Sequence, residues 1–429
     1  METFLEQKTN KVFYKKPLTS NKAIQSCPFQ NFMPFFIPAV FLSAKRFLSL
    51  SYQRTNDMAK TESPQRVLVG MSGGIDSSAA CMLLQEQGYE VVGITMRMWD
   101  TRAQFTQEGQ TEPSHILEAR SLAQRLGIEH HTLDVREAFK QEVVQNFIDE
   151  YLQGRTPNPC VLCNLRFKWK YLLEQATLLQ CDRVATGHYA RIESDEKGRL
   201  FIACGADEKK DQSYFLWRLG QAELSRTVFP LGGLTKQDIK EYVLQRGFQE
   251  KVQKKESMEV CFVESDYRDF LRENLPDFDT RVYEGYYIDN TGKPIGRHKG
   301  YPLYTIGQRK GLNIALGYPV FVTKINPEKN TVKLGKREEL ACQAMVVEEF
   351  QTPDLPGLLS ANPLDIRIRY RSLGQPGKIT LADDNHLIVR FDQPASAVTP
   401  GQSAVFYQGD KVLGGGIIAS YNTWKKYLQ

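Results

Sequence analysis

The sequence has no apolar run long enough to cross a membrane. Its most hydrophobic stretch, FMPFFIPAVFL (Phe32–Leu42), is eleven residues long and broken by Pro34 and Pro38, whereas a spanning helix needs about 20 apolar residues. Cysteine is sparse, with eight in 429 residues at irregular spacing. With no secretory signal evident, that excludes a disulfide scaffold and points to free thiols in a reducing cytoplasm. None of the six histidines forms an H-x-x-x-H pair, so the zinc-hydrolase signature is missing. Internal repeats and low-complexity tracts are absent too. Net charge is only +5, and residues 1–57 supply all of it, with eight Lys/Arg against Glu2, Glu6 and Asp57. The rest of the chain is neutral, so any nucleic-acid binding must come from local basic patches and not a global field.

What is present is a globular composition, 41% hydrophobic and 24% charged, in a chain long enough for two or three domains. Residues 1–60 read as a leader, disordered or belonging to an over-long reading frame, with Met58 as a natural start. A mitochondrial transit peptide is the alternative, but lysine outnumbers arginine there six to two, which weakens it. From Arg66 onward the texture is α/β. RVLVGM is a buried strand, SAACMLLQEQGY has an apolar helical face ending at Gly88, and EVVGITMRMW is a second strand. Strand, glycine turn, helix, strand is the start of a parallel sheet wrapped by helices. Helices are expected near 115–126, 136–152 and 164–180, with a cysteine-bearing bend before the last. Beyond about 278 the pattern becomes short alternating strands with Gly and Pro, and the stretch from 343 suggests a small barrel. The boundaries expected are 61–277 for the first domain, 278–342 for a small central one and 343–429 for the barrel.

Three stretches carry chemistry. In GMSGGIDSS (Gly70–Ser78) two glycines let backbone approach a ligand, Ser72 and Ser77 offer hydroxyls, and a helix N-terminus follows, which together make an anion site. It is neither a Walker loop nor G-x-G-x-x-G. Asp76 would repel phosphate unless a metal or a donor network offsets it, which implies Mg²⁺. In GRTPNPCVLCN, Cys160 and Cys163 form a C-x-x-C that is open to four readings: redox pair, half a metal site, nucleophile with bystander, or two buried cysteines. Arg166 and Lys168 lie close enough in sequence to favour a thiolate. RHKGYPLYTIGQRKG interleaves Arg297, His298, Lys299, Arg309 and Lys310 with Tyr301 and Tyr304, a candidate RNA-facing patch.

The S-G-G-x-D-S loop after a first strand resembles the PP-loop of ATP pyrophosphatases, enzymes of the adenine nucleotide alpha hydrolase-like fold. That resemblance alone leaves GMP, NAD, asparagine and argininosuccinate synthesis open. Four further motifs, GRTPNPCVLCN, ATGHYARI, KKDQSYFLWRL and KKESMEVCFV, followed by YTIGQRKGL, RIRYR and TPGQSAVFY, make the chain from about Arg66 resemble the tRNA-specific 2-thiouridylase family. The resemblance implies a tRNA sulfurtransferase that adenylates the 2-oxygen of the wobble uridine and then transfers sulfur from a cysteine persulfide. It implies that Gly70, Met71, Ser72, Gly73, Gly74, Ile75, Asp76, Ser77, Met96 and Gly187 bind ATP, with Mg²⁺. Cys261 would carry the persulfide delivered by a sulfur-relay donor protein, and Cys163 would be its partner, forming a Cys163–Cys261 disulfide. Asn158, Pro159 and Cys160 would face the target base, while His188, Lys210, Asp211, Gln212, Arg369, Tyr370 and Gln402 would contact tRNA.

Cys160 departs from many relatives, which have aspartate there, so a carboxylate general base is in doubt. It also leaves three thiols, Cys160, Cys163 and Cys261, that could hold a [4Fe–4S] cluster with one iron open. Persulfide chemistry without a cluster is preferred. Cys27, Cys81, Cys181, Cys204 and Cys342 read as structural. The rival functions are an amide-forming PP-loop ligase and a non-enzymatic RNA-binding protein with a dead loop.

Overall fold

The structure, a computed structural model, describes residues 64–106, 109–253 and 260–428; the leader expected over 1–60, with Cys27, lies outside them. Strand β1 (Arg66–Gly70) buries Val67, Leu68 and Val69 completely, as a strand covered on both faces should. The glycine turn feeds helix α1 (Ile75–Glu86), and β2 (Glu90–Arg97) returns parallel to β1. Helix α2 (Ser114–Leu126) stops at Gly127, whose φ of +66° suits glycine at a helix end, and β3 (Glu129–Asp134) follows. Next in the sheet is β4 (Arg183–Thr186). After a hairpin of β5 (Ala190–Ser194) and β6 (Leu200–Cys204) comes the short β7 (Thr227–Val228). The sheet is parallel throughout, in the order β3-β2-β1-β4-β7. Connections reverse direction between β1 and β4, and the crevice beyond their C-terminal ends is where such sheets bind ligands.

One helix begins earlier than expected. Helix α3 (Pro159–Cys163) runs through a π turn (Asn164–Trp169) into α4 (Lys170–Leu178), so both cysteines of C-x-x-C are helical and not in a bend. Proline at the first helical position has no N–H to leave unpaired and a preset φ. The bend expected around the cysteines is therefore helix, with Pro159 as its initiator.

The central domain is a four-stranded sheet of β8 (Gly285–Ile288), β9 (Pro294–His298), β10 (Phe321–Asn326) and β11 (Thr331–Gly335), in the order β10-β11-β8-β9. Its buried Tyr287, Leu303, Val322 and Val332 share one core with Phe139, Phe147, Phe167 and Phe262 of the preceding region. The C-terminal strands are β12 (Ala341–Gln351), β13 (Asp365–Arg367), β14 (Gln375–Asp383), β15 (His386–Ser396), β16 (Ser403–Gln408) and β17 (Lys411–Ile418). They close into a six-stranded antiparallel barrel through β12–β17 pairing, as the alternating sequence suggested. Hairpin β5–β6 does not join the parallel sheet; it extends the barrel sheet through β6–β17 pairing at Lys411, the end of β17 that β12 does not reach. No described helix is long and apolar enough to cross a membrane.

Candidate active site

The glycine loop lies at the crevice between β1 and β4. Gly73 takes φ +72°, and a Cβ there would sit 2.5 Å from the His115 carbonyl oxygen, so only glycine fits against the start of α2. Gly187, at the end of β4, is as constrained, since a Cβ would fall 2.8 Å from the Ser77 nitrogen. Ser77 Oγ accepts from the Ser72 N–H (3.2 Å) and donates to the Gly74 carbonyl (3.1 Å), which fixes the loop's curvature. Ile75 and Met71 are buried in the core, so only their backbone can face a ligand. Met96 is half-buried on β2 beside Leu133.

Asp76 does not stand alone in this cradle. Its carboxylate accepts two hydrogen bonds from the buried Lys236 ammonium (2.8 and 2.9 Å) and one from the Tyr189 hydroxyl (2.7 Å). Of the two offsets the sequence demanded, metal or donors, the donors are supplied by the chain itself. A second buried lysine, Lys251, donates to the Gly73 carbonyl (2.9 Å) and pairs with Glu118 (3.3 Å). Sequence reasoning missed both lysines. Lys236 had left a signal: a cation at the first position of a helix capped by Thr235 works against the helix dipole and needs another purpose.

Cys160, Cys163 and Cys261 come together although the third is almost a hundred residues away. Phe262 does the joining: it is buried and packs edge-on against Phe139 (5.7 Å between ring centroids) and Phe147 (5.2 Å). Cys163 sits in that same core. All three thiols are free. Cys160 and Cys261 both act on Cys163 electrostatically, and Lys168 acts on all three. The π turn explains why it is Lys168 and not Arg166. In an α-helix a residue five positions on is rotated by about 140°, and the wider π turn brings it back toward the starting face. Lys168 follows Cys163 by five, whereas Arg166 is exposed.

The expected lowering of the thiol pKa values is overturned. Burial raises all three, Cys163 to about 12 and Cys261 to about 11, and the Lys168 charge only partly opposes it. Loss of hydration of the thiolate outweighs one half-buried cation. Cys261, though exposed, has enough protein around its sulfur to feel this. A raised pKa means less thiolate at neutral pH. Alkylation of Cys261 in the tRNA-free protein should therefore climb about tenfold per pH unit from pH 7 and still be rising at pH 10. A plateau near pH 9, as for an ordinary thiol, would contradict this. Among the described residues no three Cys, His, Asp or Glu side chains are gathered closely enough to hold a metal ion, so the three thiols as placed here do not fit a cluster.

The residues assigned to RNA contact are engaged inside the protein. His188 is half-buried against Trp169 (5.7 Å) and Phe229 (6.2 Å), bonds Thr186 (2.7 Å), and is held neutral by burial. Asp211 organises its own turn through Gly205 N–H (2.9 Å) and the Ser213 hydroxyl (2.8 Å), and Gln212 accepts from Tyr189 N–H (3.1 Å). Lys210 belongs to the same turn, its N–H bonded to the Asp207 carbonyl (3.0 Å). Arg369 donates to Ala397 O (3.0 Å) and Thr399 Oγ1 (2.8 Å), and Tyr370 packs on Phe215 (4.4 Å). In the basic-aromatic patch, strand alternation turns His298 inward, where burial pulls its pKa to about 4, and Tyr304 is buried with it. Neither ring is free to stack on a base; Arg297, Lys299, Arg309 and Lys310 are exposed.

Three family models match the chain in sequence: a tRNA methyl transferase HUP domain over residues 65–265, a tRNA methyl transferase PRC-barrel domain over 268–336 and an aminomethyltransferase beta-barrel domain over 353–418. A protein of Phocaeicola vulgatus named tRNA-specific 2-thiouridylase MnmA 3 is 57% identical over 362 residues, covering 84% of this chain and 96% of the relative. One from Amoebophilus asiaticus, named tRNA-specific 2-thiouridylase MnmA, is 47% identical over 371 residues, covering 84% and 98%. Among solved structures, the U34-tRNA thiolase NcsA of Methanococcus maripaludis with its [4Fe-4S] cluster aligns at 16% identity and a TM-score of 0.32, over 54% of this chain and 75% of that one, a likeness too slight to bear on chemistry. Sequence identity of this extent, sustained along nearly the whole of the relatives, makes the chain a member of the tRNA-specific 2-thiouridylase (MnmA) family.

Proposed function

We propose that this protein is a tRNA-uridine 2-sulfurtransferase that uses ATP, with Mg²⁺, to make 2-thiouridine at the wobble position. The observation that carries the proposal is that Cys261, held by the buried Phe262 next to it, comes close enough to act on Cys163 in the core, in a chain that also carries a glycine loop built for an anion. The 2-oxygen of uridine attacks the α-phosphorus of ATP and pyrophosphate leaves. The terminal sulfur of a Cys261 persulfide then attacks C2, and AMP departs with the oxygen. Cys163 attacks the Cys261 sulfur, the bond between the two sulfurs breaks toward C2, and the products are 2-thiouridine and a Cys163–Cys261 disulfide. A thiol reductant resets the pair with two electrons. Ser72, Ser77 and the α1 N-terminus would hold the departing pyrophosphate, Lys236 and Lys251 would stiffen the loop, and Asn158, Pro159 and Cys160 would line the target base. Cys160 replaces a carboxylate with a protonated thiol, so base catalysis at that point is not part of the scheme.

The sulfur arrives from a persulfide donor protein, and tRNA is gripped through the exposed cations of the central domain and the barrel. The relatives compared are bacterial, which supports a cytoplasmic location over a mitochondrial one. An amide-forming PP-loop ligase needs no paired thiols. Supplying the protein with ATP, tRNA and either persulfide or ammonium separates the two: 2-thiouridine with AMP and pyrophosphate is expected from persulfide alone. Turnover with ammonium and no tRNA would sink the proposal.

A further inference from the structure

The segment that enters the thiol helix is Thr156-Pro157-Asn158-Pro159. Two of its four residues have no N–H, so its carbonyls are the main handles by which the backbone can be held. The first turn of a helix also lacks internal partners to fix its direction. The donor that takes these handles comes from the barrel, in the turn between β15 and β16. Gln402 Nε2 donates to the carbonyls of both Thr156 (3.0 Å) and Pro157 (2.9 Å). The Thr156 N–H donates back to Pro400 O (2.9 Å). Gly401, at φ +90°, is so close that a Cβ would lie 2.8 Å from the Thr156 oxygen and 3.0 Å from its nitrogen. One residue upstream, Arg155 bridges Glu150 (2.8 Å) and Glu348 of β12 (2.7 Å), all three largely shielded from water. Pro159 then opens α3, and Cys160 and Cys163 follow on one face of it.

We infer that the Pro400–Gln402 turn of the barrel is the mount of the thiol helix, and that Gln402 is a positioning residue that sets Cys160 and Cys163 relative to Cys261. Its amide nitrogen is engaged with the backbone of Thr156 and Pro157. Arg369, through Ala397 and Thr399, braces the strand end that leads into the same turn. A site helix held loosely by even about 0.5 Å loses productive geometry, which gives the barrel a part in sulfur chemistry it does not itself perform.

The consequence for catalysis rests on the sulfur-transfer reading; the consequence for thiol accessibility does not. The test uses the full chain carrying Gln402→Glu, which removes both N–H donors, Gln402→Lys, whose ammonium can still donate to the carbonyls, and Gly401→Ala, which pushes on Thr156 without touching Gln402. Alkylation by iodoacetamide is followed cysteine by cysteine without tRNA, with Cys204 as internal reference, alongside tRNA affinity and kcat at saturating tRNA. Gln402→Glu, through loss of two hydrogen bonds, and Gly401→Ala, through displacement of Thr156, should each speed alkylation of Cys160 and Cys163 about tenfold. They should lower kcat, leave tRNA affinity within about twofold, and melt cooperatively. Gln402→Lys should restore much of the original behaviour, and should one variant fail to fold, the other two carry the same comparison. Unchanged alkylation in all three variants overturns the inference, whether tRNA binding weakens, making Gln402 an RNA contact, or not. Faster alkylation in a protein that makes no 2-thiouridine even unmutated would uphold the mount and reject the sulfur-transfer reading.

Discussion

Cys163→Ala and Cys261→Ala should each reduce 2-thiouridine formation by at least about a thousandfold, while tRNA-dependent release of pyrophosphate in the first turnover should stay within a few-fold of the unmodified protein. The split follows from where the groups sit. Adenylation needs the glycine loop at the crevice of β1 and β4, and neither sulfur belongs to that loop. Sulfur transfer needs one cysteine to carry the atom and another to release it, so removing either stops the same step. Alanine is the right substitute because Cys163 is buried in an aromatic core, where a serine hydroxyl would be left unpartnered. Cys160→Ala should be milder than either, since a half-buried thiol with a raised pKa is a poor base. A liquid-chromatography assay of digested tRNA beside a pyrophosphate assay reads both steps. Normal thiolation by Cys163→Ala would refute the assigned pairing.

Lys236→Met should abolish adenylation and cost stability, and a double variant separates the two effects. The Lys236–Asp76 pair is two-sided, with both carboxylate oxygens bonded and the ammonium buried. Breaking a fully buried pair costs about 3–5 kcal/mol. Asp76 keeps a third of its side chain exposed, so the loss here should fall below that. Activity should fall about a hundredfold or more, because the loop that Lys236 stiffens is what aligns the donors on the negative charge that develops. Adding Asp76→Asn removes the unpaired carboxylate, so the double variant should regain part of the stability and none of the activity. If Lys236→Met keeps full adenylation, the lysine is a structural staple only. Urea melts and initial rates on the same samples decide this.

The parallel-sheet domain and the barrel were readable because period-two and helical patterns are written by burial, and Val67–Val69 and the alternation near 386–396 are buried or alternately buried accordingly. The glycine loop was readable because Gly73 and Gly187 each stand where a Cβ would meet backbone. Long-range pairing was not. Nothing local ties hairpin β5–β6 to β17, or Gln402 to Thr156, since those contacts join residues about two hundred or more apart in sequence. Nor does a sequence report desolvation: Lys168 beside two cysteines promised thiolates, and burial reversed the sign. Helix register was not readable either, because a π turn cannot be read from composition and yet separates Lys168 from Arg166.

The account's central claim is that Cys163 and Cys261 act as one sulfur-handling pair, and a single turnover tests it most directly. Reduced protein is loaded with persulfide, given ATP and one equivalent of tRNA, quenched in acid and digested without reductant. Mass spectrometry should find one 2-thiouridine formed per disulfide-linked peptide pair containing Cys163 and Cys261. Stoichiometric 2-thiouridine with both cysteines recovered as free thiols would contradict it.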